Sequence, residues 1–222
     1  MFFATTYKLW LKYYPVFLRG LGGTLWISAV TIVFGSILGL IVAAMRMSRI
    51  RPLNAVASAY VEVLRGTPVL LQLYFFWIGL PKLFPALGMT DTQSVVCALV
   101  INASAYISEI IRAGIGAVDQ GQWEAARSVG LSEKNVFFRV ILPQAVKNIL
   151  PAMGNEFIST VKGTSLASTF FLPELITSYK TVQSATVLAL QSLTIAGIIY
   201  FLLDLVLSWM LRLLERRLRE SD

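Results

Sequence analysis

Residues 20–45 read GLGGTLWISAVTIVFGSILGLIVAAM, and this stretch decides the fold. It holds 26 residues and no charge. A helix needs about 20 apolar residues to cross a ~30 Å hydrocarbon core, so the run crosses a bilayer with length left for tilt. The whole chain agrees with its most apolar part. Of 222 residues 56% are hydrophobic and 14% charged, with a mean hydropathy of +0.70. A soluble domain carries about 25% charged residues. Too little polar surface exists here to cover the apolar content, so lipid is the expected solvent. The chain has no histidine, which removes histidine-based catalysis and the usual zinc motifs. Its single cysteine, Cys97, lies in an apolar run and reads as a small packed residue.

Working outward, residues 181–203 form a second uncharged run, and 66–81 and 92–108 form two shorter ones. Residues 144–162 make a further candidate, interrupted by Lys147, Pro151 and Glu156. The reading is an all-α integral membrane protein, one domain over 1–222, with five spans near 20–46, 55–81, 93–113, 144–162 and 184–211. Basic residues gather after the first span (Arg46, Arg49, Arg51), between the third and fourth (Arg112, Arg127, Lys134, Arg139, Lys147) and after the fifth (Arg212, Arg216, Arg217, Arg219). With an odd span count, all twelve fall on one side, which the positive-inside rule makes the cytoplasm. The N-terminus is then outside and the C-terminus cytoplasmic, with Lys8, Lys12 and Arg19 running against the rule. The net charge of +7 follows from these clusters and points to anionic lipid, not nucleic acid. Residues 1–19 lack the cleavage site of a signal peptide. Their aromatic residues and lysines fit an interfacial helix on the outer face or an aromatic belt ahead of the first span.

Several local patterns carry more than hydropathy. Gly35 and Gly39 are four apart, a spacing that lets two helix backbones approach closely in lipid. Glu62 and Arg65 share a helix face, and Pro68 removes a backbone donor and predicts a kink within the second span. Asn102, Tyr106 and Glu109 recur at i, i+4 and i+7, so they face one way, toward a bundle interior or a water-filled pathway. Arg112 sits three after Glu109, where it pairs with it or anchors the inner end. Lys162 follows a short interrupted span, the sort of place where transporters bind solute; it either meets solute there or snorkels from the outer end of the helix. The segment 119–143 is polar. Within it Trp123 to Val129 predicts a short helix, Gly130 a left-handed cap, and Ser132 with Glu133 the start of the next helix.

Residues 124–143, EAARSVGLSEKNVFFRVILP, resemble the EAA motif of the membrane subunits of bacterial ABC importers. Glu124, Ala125, Ala126, Gly130, Leu142 and Pro143 match it, and Val140 stands where the motif has Ile. YVEVLRGTPVLLQLYFFWIGLP (60–81), with Gln72, and INASAYISEIIRAGI (101–115) resemble the polar amino-acid branch of that family, the histidine, glutamine, cystine and arginine type. TVKGTSLAS (160–168) matches at Lys162, Thr164 and Ser165 but has Gly163 where an acidic residue is common.

The resemblance implies a multi-pass permease of the bacterial inner membrane, itself not an enzyme. It implies pairing with a second copy or a paralogue, docking of the 119–143 hairpin onto two cytoplasmic ATPase subunits, and delivery of solute by an extracytoplasmic binding protein. No cofactor is expected on this chain. It has no GxxxxGK[ST] loop, so ATP and Mg belong to the ATPase partner. The implied solute contacts are Lys162, Asn102, Tyr106, Thr164 and Ser165. The competing readings are an ABC permease for another small solute, a gradient-driven transporter or channel, and a membrane-embedded enzyme, for which the chain lacks a histidine, a GxSxG and a paired membrane aspartate.

Overall fold

The computed structural model describes residues 1–219, so the C-terminal Asp222 lies outside the described residues. Nine α-helices occur among them, here α1 Phe2–Arg46, α2 Arg51–Gly66, α3 Val69–Leu83, α4 Asp91–Gly116, α5 Gln120–Ser128, α6 Glu133–Asn135, α7 Leu142–Gly163, α8 Leu175–Thr186 and α9 Ala189–Arg219. The fold is all-helical. Four helical stretches are long and apolar enough to cross a membrane, or five if the bent pair α2 and α3 is counted as one span.

The first helix is longer than the hydropathy suggested. α1 runs 45 residues, about 68 Å at 1.5 Å per residue, and passes through Pro15 without ending. The aromatic N-terminal segment is therefore the continuation of the first span. Leu9 and Phe17 are buried against Leu175, Val182, Ile195 and Ala196 of α8 and α9. Phe3, Tyr7, Leu11, Tyr14 and Leu18 stay exposed.

The seam between α1 and α4 is close. A Cβ on Gly35 would stand 3.2 Å from the Ala103 Cβ, and one on Gly39 would stand 2.8 Å from Ile107 Cγ2 and 3.0 Å from the Ser104 carbonyl. The glycine pair is a helix contact within the chain, and only the missing side chains let the two backbones reach this distance.

The second expected span is broken, not kinked: α2 and α3 meet at 110°. Thr67 is extended and Pro68 begins α3. Pro68 has no N–H to give the Leu64 carbonyl, and the Gln72 side chain replaces it, donating from Nε2 at 2.7 Å. The Thr67 hydroxyl serves the Val63 carbonyl at 2.7 Å. With those acceptors satisfied, the two helices part. α3 runs along α4, packing Leu73 against Val95, Ala98 and Leu99. α2 crosses the ends of α1 and α4 and lays Ala57, Val61 and Leu64 on Val42 and Ala105.

On the polar side, α5, a tight turn and α6 form the expected helical hairpin. Gly130 has φ 83°, its N–H bonds the Arg127 carbonyl at 2.9 Å, and the Leu131 N–H bonds the Ala126 carbonyl at 3.2 Å. These two bonds form a Schellman cap. Ser132 occupies the expected N-cap position, but its side chain makes no capping hydrogen bond. Chain direction then continues through a π-helical turn, Val136–Ile141, into α7. Pro143 cannot donate to the carbonyl four residues back, and just before it the Leu142 N–H bonds Phe137, five residues back.

Candidate functional site

Two features meet on α4 and α7. The first is a cavity of about 210 Å³ between α1, α3, α4 and α7. Its polar lining comes from Thr31 on α1, Asn102 and Tyr106 on α4, and Glu156, Ser159 and Thr160 on α7. Leu99, Ala103, Val69 and Leu166 supply the apolar wall. Asn102 is held by the elbow: its Nδ2 donates to Gln72 Oε1 at 2.9 Å, and Gln72 is itself fixed on α2. Tyr106 lies under the Arg65 guanidinium, 5.5 Å from the ring centroid.

One turn below, Glu109 collects charge from three helices. Arg46 at the end of α1 pairs with it, Arg65 reaches it at 3.4 Å and Arg112 at 3.0 Å. Arg65 therefore pairs with Glu109 and not with Glu62, the partner that spacing along α2 offered. The face shared by Asn102, Tyr106 and Glu109 divides by depth. Its first two members line the cavity, and its third joins α1, α2 and α4 at their ends.

The other expected solute contacts lie elsewhere. Lys162 Nζ meets Asp204 Oδ1 of α9 at 3.1 Å and is not part of the cavity wall. Asp204 is eight residues before Arg212, about 12 Å along the helix from that basic end. Lys162 thus pairs with α9 and does not face the cavity in this conformation. Thr164 is fully buried and its hydroxyl bonds the Val161 carbonyl at 2.8 Å. Ser165 is half-buried in the 3-10 turn Thr164–Phe170 that follows α7.

Sequence reading missed Glu156, Ser159 and Thr160 as lining residues. The signal was present, since 156, 159, 160 and 163 repeat at i, i+3, i+4 and i+7 on one face of α7. Also missed was Glu174, fully buried, which caps α8 by accepting from the Ile176 and Thr177 N–H groups at 2.8 and 2.5 Å. The Tyr200 hydroxyl donates to the same carboxylate at 3.2 Å.

The second feature is the hairpin. Glu124 and Ala125 are exposed, while Ala126 turns inward against Val118, Val136, Ile141 and Ala145. The alanine pair therefore does not form one flat outer face; adjacent helical residues point about 100° apart. Arg127 spans the turn to Glu133 through two bonds of 2.8 and 3.1 Å and lies over the Trp123 ring. That hydrogen bonding to Glu133 raises the Arg127 guanidinium above its ordinary pKa. Leu142 is half-buried and Pro143 exposed at the start of α7. The hairpin and the start of α7 thus share one core.

The chain is 40% identical over 210 residues to the arginine transport system permease protein ArtQ of Bacillus subtilis (strain 168), covering 94% of each. It is also 40% identical to the L-cystine transport system permease protein TcyB of the same organism, over 93% of this chain and 88% of that one. A crystal structure of an amino acid ABC transporter with histidines superposes with a TM-score of 0.87 at 45% identity, covering 93% of this chain and 96% of the other. The family described as binding-protein-dependent transport system inner membrane component matches residues 35–220, and the chain belongs to that family.

Proposed function

We propose that this chain is the membrane subunit through which a polar amino acid crosses in an ATP-driven importer. The observation that carries the reading is mechanical. The exposed hairpin and the polar cavity are joined by one helix, since α7 shares the hairpin's core at Ala145 and lines the cavity at Glu156, Ser159 and Thr160. A push on α5 therefore changes the α4–α7 gap. On this reading Glu124, Ala125 and the Gly130 turn seat in an ATPase subunit that holds ATP and Mg. Asn102 and Tyr106 touch the solute. Lys162, Thr164 and Ser165 lie further along the same route, with Lys162 freed from Asp204 in another conformation.

The working assembly on this reading has two membrane subunits, either two copies of this chain or this chain and a paralogue. It adds two ATPase subunits and an extracytoplasmic binding protein. ATP and solute must favour different conformations for either to drive the other. The N-terminus lies outside, and a reporter active only in the cytoplasm is expected to work when fused after Asp222. An active exported reporter there would overturn the orientation.

Reconstitution tests the whole reading. The chain, co-expressed with its ATPase and placed in proteoliposomes, is expected to take up amino acid only with ATP and binding protein. Uptake driven by an ion gradient without ATP would favour a secondary transporter instead.

A further inference from the structure

The bend between α2 and α3 leaves a groove of about 740 Å³ between its two arms. Val56, Ala59 and Val63 of α2 form one wall, and Leu71, Phe75 and Phe76 of α3 form the other. The polar side chains that line it are already engaged within the chain. The Tyr60 hydroxyl lies 2.6 Å from the Ser104 hydroxyl and donates to the Ile101 carbonyl at 3.2 Å. The Thr67 hydroxyl serves the Val63 carbonyl, and Gln72 is held by the Leu64 carbonyl and the Asn102 amide. What remains for an occupant is hydrocarbon surface.

α2 carries three stripes at helical spacing, each with its own surroundings. Ala57, Val61 and Leu64 are buried against α1 and α4. Val56, Ala59, Tyr60 and Val63 face the groove. Arg51, Ser58 and Glu62 make a third, polar stripe. A helix with an open apolar side and a polar side beyond it lies along a membrane surface, with the apolar side toward the acyl chains. That surface is the one that carries the hairpin. Glu133 of the hairpin is held below its ordinary pKa first by the hydrogen bond from Arg127, and Arg49, just before α2, adds to the effect. Arg49 and Arg51 are exposed, and neither joins an ion pair among the described residues. Arg51 is five residues before Val56, about 7.5 Å along the helix.

We propose that this groove is a binding site for an anionic phospholipid, with one acyl chain between α2 and α3 and the headgroup phosphate on Arg49 and Arg51. The volume equals roughly 25 waters at ~30 Å³ each. A methylene is about as large as a water, so one chain fits. Exposed arginines beside an apolar cleft at the membrane surface suit an anionic headgroup. A second copy of this chain suits the groove less, because a two-fold contact centred here brings the same arginines against each other. The occupied groove lies one side chain from the polar cavity, since Gln72 lines the first and holds Asn102, which lines the second.

Lipid retention tests the site directly. The complex of this chain with its ATPase is purified in detergent and titrated with phosphatidylglycerol or phosphatidylcholine of the same acyl chains. Bound lipid is read by native mass spectrometry. Phosphatidylglycerol is expected to bind at least about tenfold tighter, as two arginines near a headgroup allow. Arg49→Gln combined with Arg51→Gln is expected to abolish that preference. Ala59→Trp fills the groove from an exposed position, so it should weaken both lipids severalfold with Tm near wild type. Glycerophosphoglycerol, the same headgroup without acyl chains, is not expected to displace the lipid, a test that needs no variant. Equal affinities in the wild type, a preference that survives the double arginine variant, or displacement by the free headgroup would each overturn the site. So would unchanged lipid binding in Ala59→Trp, and if the pair of membrane subunits came apart in that variant the groove would belong to a second copy. None of these readouts involves solute or ATP. The transport reading fails by a different result: no ATP-dependent uptake of any amino acid by the wild-type complex.

Discussion

α4 presents two faces that are built in opposite ways. Toward α1 it is dry and tight, with Ala103, Ser104 and Ile107 pressed onto Gly35 and Gly39. Toward α7 it is hollow and polar, with Asn102 and Tyr106 looking across at Glu156, Ser159 and Thr160. The same few turns of helix hold both. A seam of small residues gains its dispersion energy at one separation only, so it keeps α1 and α4 together as a body. A polar gap has no such preferred distance. On the proposed transport reading, α1 with α4 is the fixed part and α7, with the hairpin attached to it, the part that moves.

The largest effect should come from forcing the tight face apart. Gly39→Leu puts a side chain where a Cβ alone already stands 2.8 Å from Ile107. Overpacking of this kind costs about 1–3 kcal/mol or more. Expected are a lower yield of monodisperse protein and a lower Tm in detergent, whereas Ser159→Leu in the hollow face should leave both near wild type. Equal Tm losses in the two variants would erase the distinction between the faces.

Next is the link from hairpin to moving part. Gly130→Val places a β-branched residue at φ 83°, a left-handed conformation that costs an ordinary residue about 1–2 kcal/mol and a β-branched one more. The Schellman turn should distort while the α1–α4 body stays intact. Transport and binding-protein-stimulated ATP hydrolysis are expected to fall together, with the complex still co-purifying. Full transport by this variant would mean that the hairpin does not drive α7.

Gln72→Ala strikes the junction of the two regions. It strips the Leu64 carbonyl of its donor and Asn102 of its acceptor, and an unsatisfied buried group costs about 1–3 kcal/mol. A lowered Tm is expected, together with weaker solute binding, because Asn102 is no longer aimed into the cavity. A Tm change with unaltered binding would show that the elbow supports the fold but not the hollow face.

How much of this contrast is legible without coordinates depends on the range of the interaction. The uncharged run 20–45, the Gly35 and Gly39 seam and the Gly130 cap depend on local spacing or on a single backbone angle, and each can be read from the residues concerned. The break at Pro68 could be read only as a kink. Its 110° turn depends on Gln72 and Thr67 taking over carbonyls, which lets the helices separate instead of bending around a missing bond. Glu156 advertised its face through the 156, 159, 160, 163 repeat, yet nothing local says that the face opposite belongs to α4. Lys162 and Asp204 are 42 residues apart, and only the antiparallel packing of α7 on α9 brings them together.

That ion pair gives the smallest and most diagnostic effect. Lys162 is 60% exposed and Asp204 36% exposed in the isolated chain, so solvent or a neighbouring subunit reaches both and the pair is not a deeply buried one. Coupling energies for such contacts are about 0.5–1 kcal/mol, well below the loss expected at the seam. If the pair only fastens α9 to α7, Lys162→Ala and Asp204→Ala should each lower Tm slightly, and the double variant should lose less than the sum. Solute uptake should follow stability. If Lys162 also leaves Asp204 to meet a solute carboxylate as α7 moves, Lys162→Ala should cut uptake severalfold more than Asp204→Ala at matched Tm. A double-mutant cycle read by both Tm and uptake distinguishes these outcomes. Equal uptake losses in the two single variants would assign Lys162 to the fixed framework and leave the hollow face of α4 and α7 as the solute route.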